Sequence, residues 1–96
     1  MNVRLLPEAE EDLVEAARWY RAARRELGSE FLRAAEARLE KLGRMPVAFP
    51  IVLRTVRRST LRRFPYSFFY TVRNGELVVL ACLHVSRYPE QWKRRM

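Results

Sequence analysis

Apolar residues recur every three or four positions in the first half of the chain and every second position in much of the second half. Between Pro7 and Arg25, the residues Ala9, Leu13, Ala16, Ala17 and Tyr20 share one helical face. Pro7 suits a first helical position. Glu8, Glu10, Glu11 and Asp12 crowd the start of this segment, and Arg18, Arg21, Arg24 and Arg25 crowd its end, which complements the helix dipole. Leu27-Gly28 interrupts the pattern, and Ser29 is the predicted N-cap of a second helix. Phe31, Leu32, Ala35, Leu39 and Leu42 give that helix its stripe. Gly43 is expected to end it, with Pro46 shortly beyond. So short a connection predicts an antiparallel helical hairpin. Ahead of it, Asn2 to Leu6 alternates as a strand does.

Met45 to Pro50 holds two prolines and no periodicity, and reads as a loop. Beyond it, Ile51 to Arg58 is predicted as a strand, with Leu61 to Arg63 continuing it past a break near Ser59-Thr60. Tyr66 to Arg73 and Glu76 to Val85 are strands joined by Asn74-Gly75, a strong hairpin signal. That turn sets Arg73 opposite Glu76. A regular ladder then pairs Val72 with Leu77, Tyr70 with Val79, Phe68 with Ala81 and Tyr66 with Leu83, all on the face that meets the helices. The opposite face would carry Ser67, Phe69, Thr71, Arg73, Glu76, Val78, Leu80, Cys82 and His84. So mixed a face on a small sheet implies a partner or a covering segment. The expected architecture is α+β: an N-terminal strand and a helical hairpin packed on a small antiparallel sheet of three to four strands, all one domain over residues 1–96.

Charge changes this picture. The net charge is +8. Met1 to Gly43 holds eight Lys/Arg against nine Asp/Glu, a balance of −1, whereas Arg44 to Met96 holds eleven against two, a balance of +9. Ten of those eleven are Arg, which suits bidentate pairing with phosphate or carboxylate. The excess lies on the β-rich half and invites an acidic partner, either nucleic acid or an acidic polypeptide. No apolar run approaches the roughly 20 residues of a membrane span. The start of the chain is too short and too quickly acidic for a signal peptide. The lone Cys82 excludes an internal disulfide and reads as a small buried hydrophobe. A cytoplasmic protein is expected.

Two groups of residues could carry chemistry. The first is His84, Arg87, Tyr88 and Trp92, just past the last strand. An acid/base beside an arginine could cleave RNA, the arginine stabilising charge on phosphate. The alternative makes His84 a strand-end residue bonded to backbone and Trp92 a plug at the core's edge. The second is the run Arg54, Arg57, Arg58, Arg62 and Arg63, which reads as a nucleic-acid contact or a dock for an acidic protein segment. Phe69 is the one aromatic available for stacking, so the acidic-protein reading is favoured. One His and one Cys do not make a metal ligand set. No glycine-rich phosphate loop is present, because all three glycines read as helix ends or turn. No cofactor is expected.

Several motifs occur together and in order: Ala9-x-x-Asp12-Leu13-x-x-Ala16-x-x-Trp19-Tyr20, Leu27-Gly28-x-x-Phe31-Leu32, and Pro46-x-x-Phe49-Pro50. They are followed by Arg57-Arg58-x-x-Leu61-x-x-Phe64-Pro65-Tyr66-x-x-x-Tyr70 and Leu83-His84-x-x-Arg87-x-Pro89-x-x-Trp92. This set resembles the RelE/ParE toxin superfamily of bacterial type II toxin–antitoxin modules over nearly the whole chain. The Trp-Tyr pair and the Phe-Pro-Tyr segment look most like its ParE branch, also described as plasmid stabilisation proteins. The resemblance implies a toxin silenced by a cognate antitoxin whose acidic, partly disordered tail wraps it, with DNA reached only through the antitoxin complex. ParE-like members are associated with DNA gyrase inhibition. RelE-like members cut mRNA on the ribosome without metal, using Lys/Arg and a terminal Tyr or His.

The nuclease pattern is incomplete in this chain. Where the cutting branch has an arginine after the tyrosine matching Tyr66, Ser67 stands. Thr60 stands where a second lysine would fall. Trp92 lies near the place of the terminal tyrosine and cannot exchange a proton at neutral pH. A nuclease would have to use Arg58, His84, Arg87 and Tyr88. The expectation is a ParE-like toxin that binds its target through Arg54, Arg57, Arg58, Arg62, Arg63, Phe69, Arg87 and Trp92. The alternatives are a ribosome-dependent endoribonuclease or an inactive member that only binds an antitoxin-like partner.

Overall fold

A computed structural model describes residues 1–87, 94 and 95. The elements in chain order are β1 (Asn2–Leu5), α1 (Pro7–Ala23), α2 (Arg25–Arg44), β2 (Ile51–Leu53), β3 (Val56–Thr60), β4 (Tyr66–Arg73) and β5 (Glu76–His84). The strands form one sheet in the order β1-β5-β4-β3-β2. The sheet therefore has five strands rather than three to four. It is also mixed, because β1 pairs in parallel with β5, from Asn2 opposite Glu76 to Leu5 opposite Val79. The segment read as one strand from Ile51 is two, turned at Arg54, whose φ of 52° lies in the left-handed region. β3 runs through Ser59 and Thr60 without a break, and Leu61 to Pro65 forms the turn into β4.

The helices differ from expectation at their glycines. α1 stops at Ala23 because Arg24 adopts an extended conformation for a single residue, and α2 begins at Arg25. Ser29 thus lies inside α2 and caps nothing. Gly28 marks a close approach rather than a break. A Cβ there would sit 3.0 Å from Arg21 Cβ and 3.1 Å from the Ala17 carbonyl oxygen, so its bareness lets the two helices touch. Gly43 is likewise helical. Met45 caps α2, its N–H donating to the Lys41 carbonyl.

The core under the helices joins Ala9, Ala16, Phe31, Ala35 and Leu42 to Phe68, Tyr70, Leu77, Val79 and Cys82. Leu32 was read into the same stripe but is 42% exposed. An aromatic cluster closes one end of this core. Tyr20 lies 5.4 Å from Phe31 and 5.0 Å from Phe64, Phe31 lies 5.2 Å from Tyr66, and Tyr66 meets His84 edge-on at 5.3 Å. Such edge and offset contacts favour the ring quadrupoles. They tie both helices to the turn before β4 and to the end of β5.

The hairpin register holds only part of the way. Asn74 and Gly75 take φ of 52° and 72°, as a tight two-residue turn requires, and Arg73 pairs with Glu76, Val72 with Leu77 and Tyr70 with Val79. Then β5 bulges at Leu80. Phe69 pairs with Ala81, Phe68 with Cys82 and Tyr66 with His84. One extra residue exchanges the faces of the rest of the strand. Cys82 and His84 turn to the helix side, and Ala81 and Leu83 turn to the opposite face. There they join Val56, Phe69, Val78 and Leu80 in a second buried cluster, against which Leu6 and Leu53 pack. The second face thus buries an apolar cluster, with Ser67 and Thr71 buried beside it, where an open mixed face was expected.

Candidate functional site

β3 and the turn after it present the arginines, and the alternation of the strand sorts them. Arg57, on the helix side, is half-buried and donates to the carbonyls of Phe49 (2.7 Å) and Val47 (3.3 Å). Beside it the Tyr70 hydroxyl donates to the Pro46 carbonyl at 2.8 Å. Arg57 therefore builds the 45–50 loop. Arg38, from α2, reaches the same strand. It donates to Ser59 Oγ and the Thr60 carbonyl, each at 2.7 Å, and lies over the Phe49 ring. Sequence reasoning missed Arg38, whose role depends on which strand α2 crosses.

Arg58 points to the other face, opposite Phe69. Arg54, Arg58 and Arg62 are exposed and have no ion-pair partner among the described residues. Arg63 is exposed as well, 3.5 Å from Glu30 and over the Phe64 ring. Phe69, read as the one aromatic available for stacking, is not exposed on the surface. It is 7% exposed and belongs to the second apolar cluster.

His84 and Arg58 lie on opposite faces of the sheet, a consequence of the bulge. The Ser86 N–H donates to His84 Nδ1 at 3.1 Å, and Ser86 Oγ lies 2.8 Å from the same nitrogen. A nitrogen that accepts an N–H carries no proton of its own, so the neutral ring holds its proton on Nε2. Arg87 follows, exposed, with its N–H donating to the His84 carbonyl. Tyr88 and Trp92 lie outside the described residues.

Burial favours the neutral form of three tyrosines and of the cysteine around β4 and β5. Burial pushes up the hydroxyl pKa of Tyr66, and Tyr20 and Cys82 add to this while Arg87 opposes it. Burial also raises Tyr20 and Tyr70, with Arg57 opposing at Tyr70. The Cys82 thiol is pushed up to about 12, first by burial and then by Asp12. It is therefore a packing group and a poor nucleophile. Among the described residues, no three His, Cys, Asp or Glu side chains are grouped to hold a metal. No described helix is long and apolar enough to cross a membrane.

Asp12 is the second residue whose role escaped the sequence. It lies beyond the end of β1, where β5 loses its neighbour. Its Oδ2 accepts the Cys82 N–H at 3.0 Å and the Arg95 guanidinium at 2.6 Å. Arg95 also donates to the Leu80 carbonyl at 3.1 Å. Side chains from two ends of the chain thus occupy the backbone groups that flank the bulge.

Comparison with known proteins agrees with this architecture. A family model described as the ParE toxin of the type II toxin–antitoxin system, parDE, matches residues 3–89. Among solved structures, a chain of the chromosomal ParDE toxin–antitoxin system from P. aeruginosa superposes with a TM-score of 0.67 at 21% identity. The match covers 88% of this chain and 95% of that one, and at this identity it speaks for the fold. No curated protein matches the sequence.

Proposed function

The chain belongs to the ParE toxin family of type II toxin–antitoxin systems, and from that premise we propose that it acts in the cytoplasm by binding a protein target, DNA gyrase, and is silenced by a cognate antitoxin. The observation that carries this reading is the separation of Arg58 from His84. A phosphodiester-cutting site needs its proton-transfer group and the group that stabilises phosphate to converge on the same phosphodiester. Here the arginine lies on one sheet face, and the histidine, on the other, has its Nδ1 engaged by Ser86. Exposed arginines without a convergent acid–base pair suit docking to an acidic protein surface.

Inducible expression in a bacterial host, with pulse labelling of protein and DNA synthesis, tests the proposal. The expected result is failing DNA synthesis and filamentation while translation continues. Co-expression of a cognate antitoxin should restore growth, and an Arg54→Glu, Arg58→Glu, Arg62→Glu variant should be harmless. Collapse of protein synthesis within minutes, with ribosome-bound mRNA cut, would establish the ribonuclease reading instead.

A further inference from the structure

We infer that the outward face of α1 is a self-association surface, on which two copies of this chain pack their first helices antiparallel about a two-fold axis at Val14. The inference rests on the order of charges along this helix and holds whichever molecule the toxin attacks.

Pro7, Glu11, Val14, Arg18 and Arg21 follow one another at intervals of four, three, four and three residues. That alternation draws a stripe along one side of a helix, and it is the spacing of a helix–helix seam. The stripe lies on the solvent side of α1, because all five residues are exposed whereas Ala9 and Ala16 are buried beneath the helix. A shallow depression lined by Pro7, Glu10, Glu11, Val14, Glu15 and Arg18 runs along it. Val14, at the middle, is 52% exposed. Leu32 extends this apolar centre from the second helix. It follows Gly28 by one turn of α2, Gly28 lies against Ala17 and Arg21, and the leucine is 42% exposed.

The charges on the stripe fall into two blocks around that centre. Glu10 and Glu11 precede Val14, Arg18 and Arg21 follow it, and none of the four is ion-paired among the described residues. The helix dipole accounts for Glu10 and Arg21, which lie in the first and last turns, but not for Glu11 and Arg18. Within α1, Glu11 meets another glutamate one turn on, Glu15, an arrangement that opposes an isolated helix.

A second copy resolves this arrangement. Turned end for end about Val14, it sets Glu10 and Glu11 beside the partner's Arg18, and Pro7 beside the partner's Arg21. A parallel copy would set like charges together. The antiparallel contact is isologous, each copy offering the other the same patch. Two glutamates and two arginines cancel on this stripe, whereas the chain beyond Gly43 carries +9, so two copies can meet here despite their net charge. A uniformly acidic or uniformly basic partner would meet its own sign over half of the face. α1 is 17 residues long, or about 25 Å. One helix face of that length buries less than the roughly 800 Å² per partner of a standard interface, so the dimer is weak and depends on concentration.

Sedimentation velocity of the purified full chain, over a range of concentrations, tests the inference. The expected result is a monomer–dimer equilibrium. A Glu10→Lys, Glu11→Lys variant makes the stripe wholly basic, and an Arg18→Glu, Arg21→Glu variant makes it wholly acidic. Each should weaken self-association roughly tenfold, with circular dichroism verifying the fold. Equimolar mixing of the two variants should restore the dimer, which a misfolded variant could not do. Val14→Cys, at the two-fold axis, should cross-link to itself under a mild oxidant. Ala37→Cys, exposed elsewhere on α2, should not, and the native Cys82 is buried. Four results would overturn the inference: a monomer at every soluble concentration, a dimer that both charge variants leave intact, a mixture that stays monomeric, or equal cross-linking through Ala37→Cys. The readout involves no gyrase, ribosome or antitoxin, so its failure is distinct from failure of the toxin reading.

Discussion

Along β1 the sheet is tied off by distant parts of the chain, while along β2 it is left to solvent. On the β1 side, the Met1 amine donates to the Gly43 carbonyl at 3.0 Å, Arg4 pairs with Glu76, and Val3 and Leu5 pack on the core. Where β1 ends, Asp12 and Arg95 take over the backbone of β5. On the β2 side, three residues form the strand, Ile51 and Val52 are exposed, and no carboxylate lies anywhere between Lys41 and Gly75. A short strand flanked by arginines resists pairing with its own kind. One edge is finished by specific contacts, and its residues should matter to stability. The other is finished by charge, and its residues should matter to recognition.

The largest test of this contrast is Asp12→Ala. Asp12 and Arg95 are only 12% and 17% exposed, and removal of the carboxylate leaves both the Cys82 N–H and the guanidinium without it. Breaking a buried pair from one side costs about 3 kcal/mol. Urea unfolding should report that loss as a lower midpoint with an unchanged slope. Asp12→Asn keeps an acceptor for Cys82 and should cost about half as much. Arg95→Ala should cost less than Asp12→Ala, because the carboxylate still holds the Cys82 amide. Ile51→Thr on the open edge should stay within about 0.5 kcal/mol of the parent. If Asp12→Ala were equally silent, the β1 edge would not be closed by this clasp.

The same contrast explains what the sequence disclosed. Both helical faces, the Asn74-Gly75 turn and the charge asymmetry are local or additive properties, and each was legible. The register was legible from Arg73 as far as Tyr70 opposite Val79. It failed at Leu80, where the outer backbone groups are met by Asp12 and Arg95, remote from β5 in sequence. No periodicity in β5 announces a bulge whose stabilising groups lie elsewhere. The consequence reached the candidate site, since His84 and Cys82 changed face. The loop-holding role of Arg57 was hidden for a related reason: its partners are carbonyls of the 45–50 loop, and carbonyls leave no mark in a sequence. The exposure of Arg54, Arg58 and Arg62 was legible because exposure on a strand or turn needs no partner.

Gly43 offers a smaller test at the closed edge. A Cβ at this position would lie 3.1 Å from the Met1 carbonyl oxygen and 3.2 Å from Val3 Cγ2. Alanine gains roughly 1 kcal/mol of helix propensity over glycine, enough to offset a slight shift of β1. Valine adds bulk to the same narrow space and loses some of the propensity gain. Gly43→Val should therefore cost about 1–2 kcal/mol, while Gly43→Ala stays near zero. Thermal unfolding of the pair reads the difference. Equal midpoints for the two variants would mean that β1 does not sit firmly on α2.

Glu76→Gln should have the smallest effect. Arg4 Nε lies 3.1 Å from Glu76 Oε1, with the side chains 53% and 30% exposed. An exposed pair of this kind contributes a few tenths of a kcal/mol, and salt screens it. Two features favour some contribution: Asn2 pairs with Glu76 at the start of the β1–β5 ladder, and Arg73 faces Glu76 across the hairpin. The glutamate therefore stands between two arginines on neighbouring strands. The variant should lose about 0.5 kcal/mol at low ionic strength and nothing measurable in high salt. A larger loss that persists in salt would show that the β1 edge is closed by charge too. The distinction between the two edges would then lie in the sign of the neighbouring charges rather than in packing.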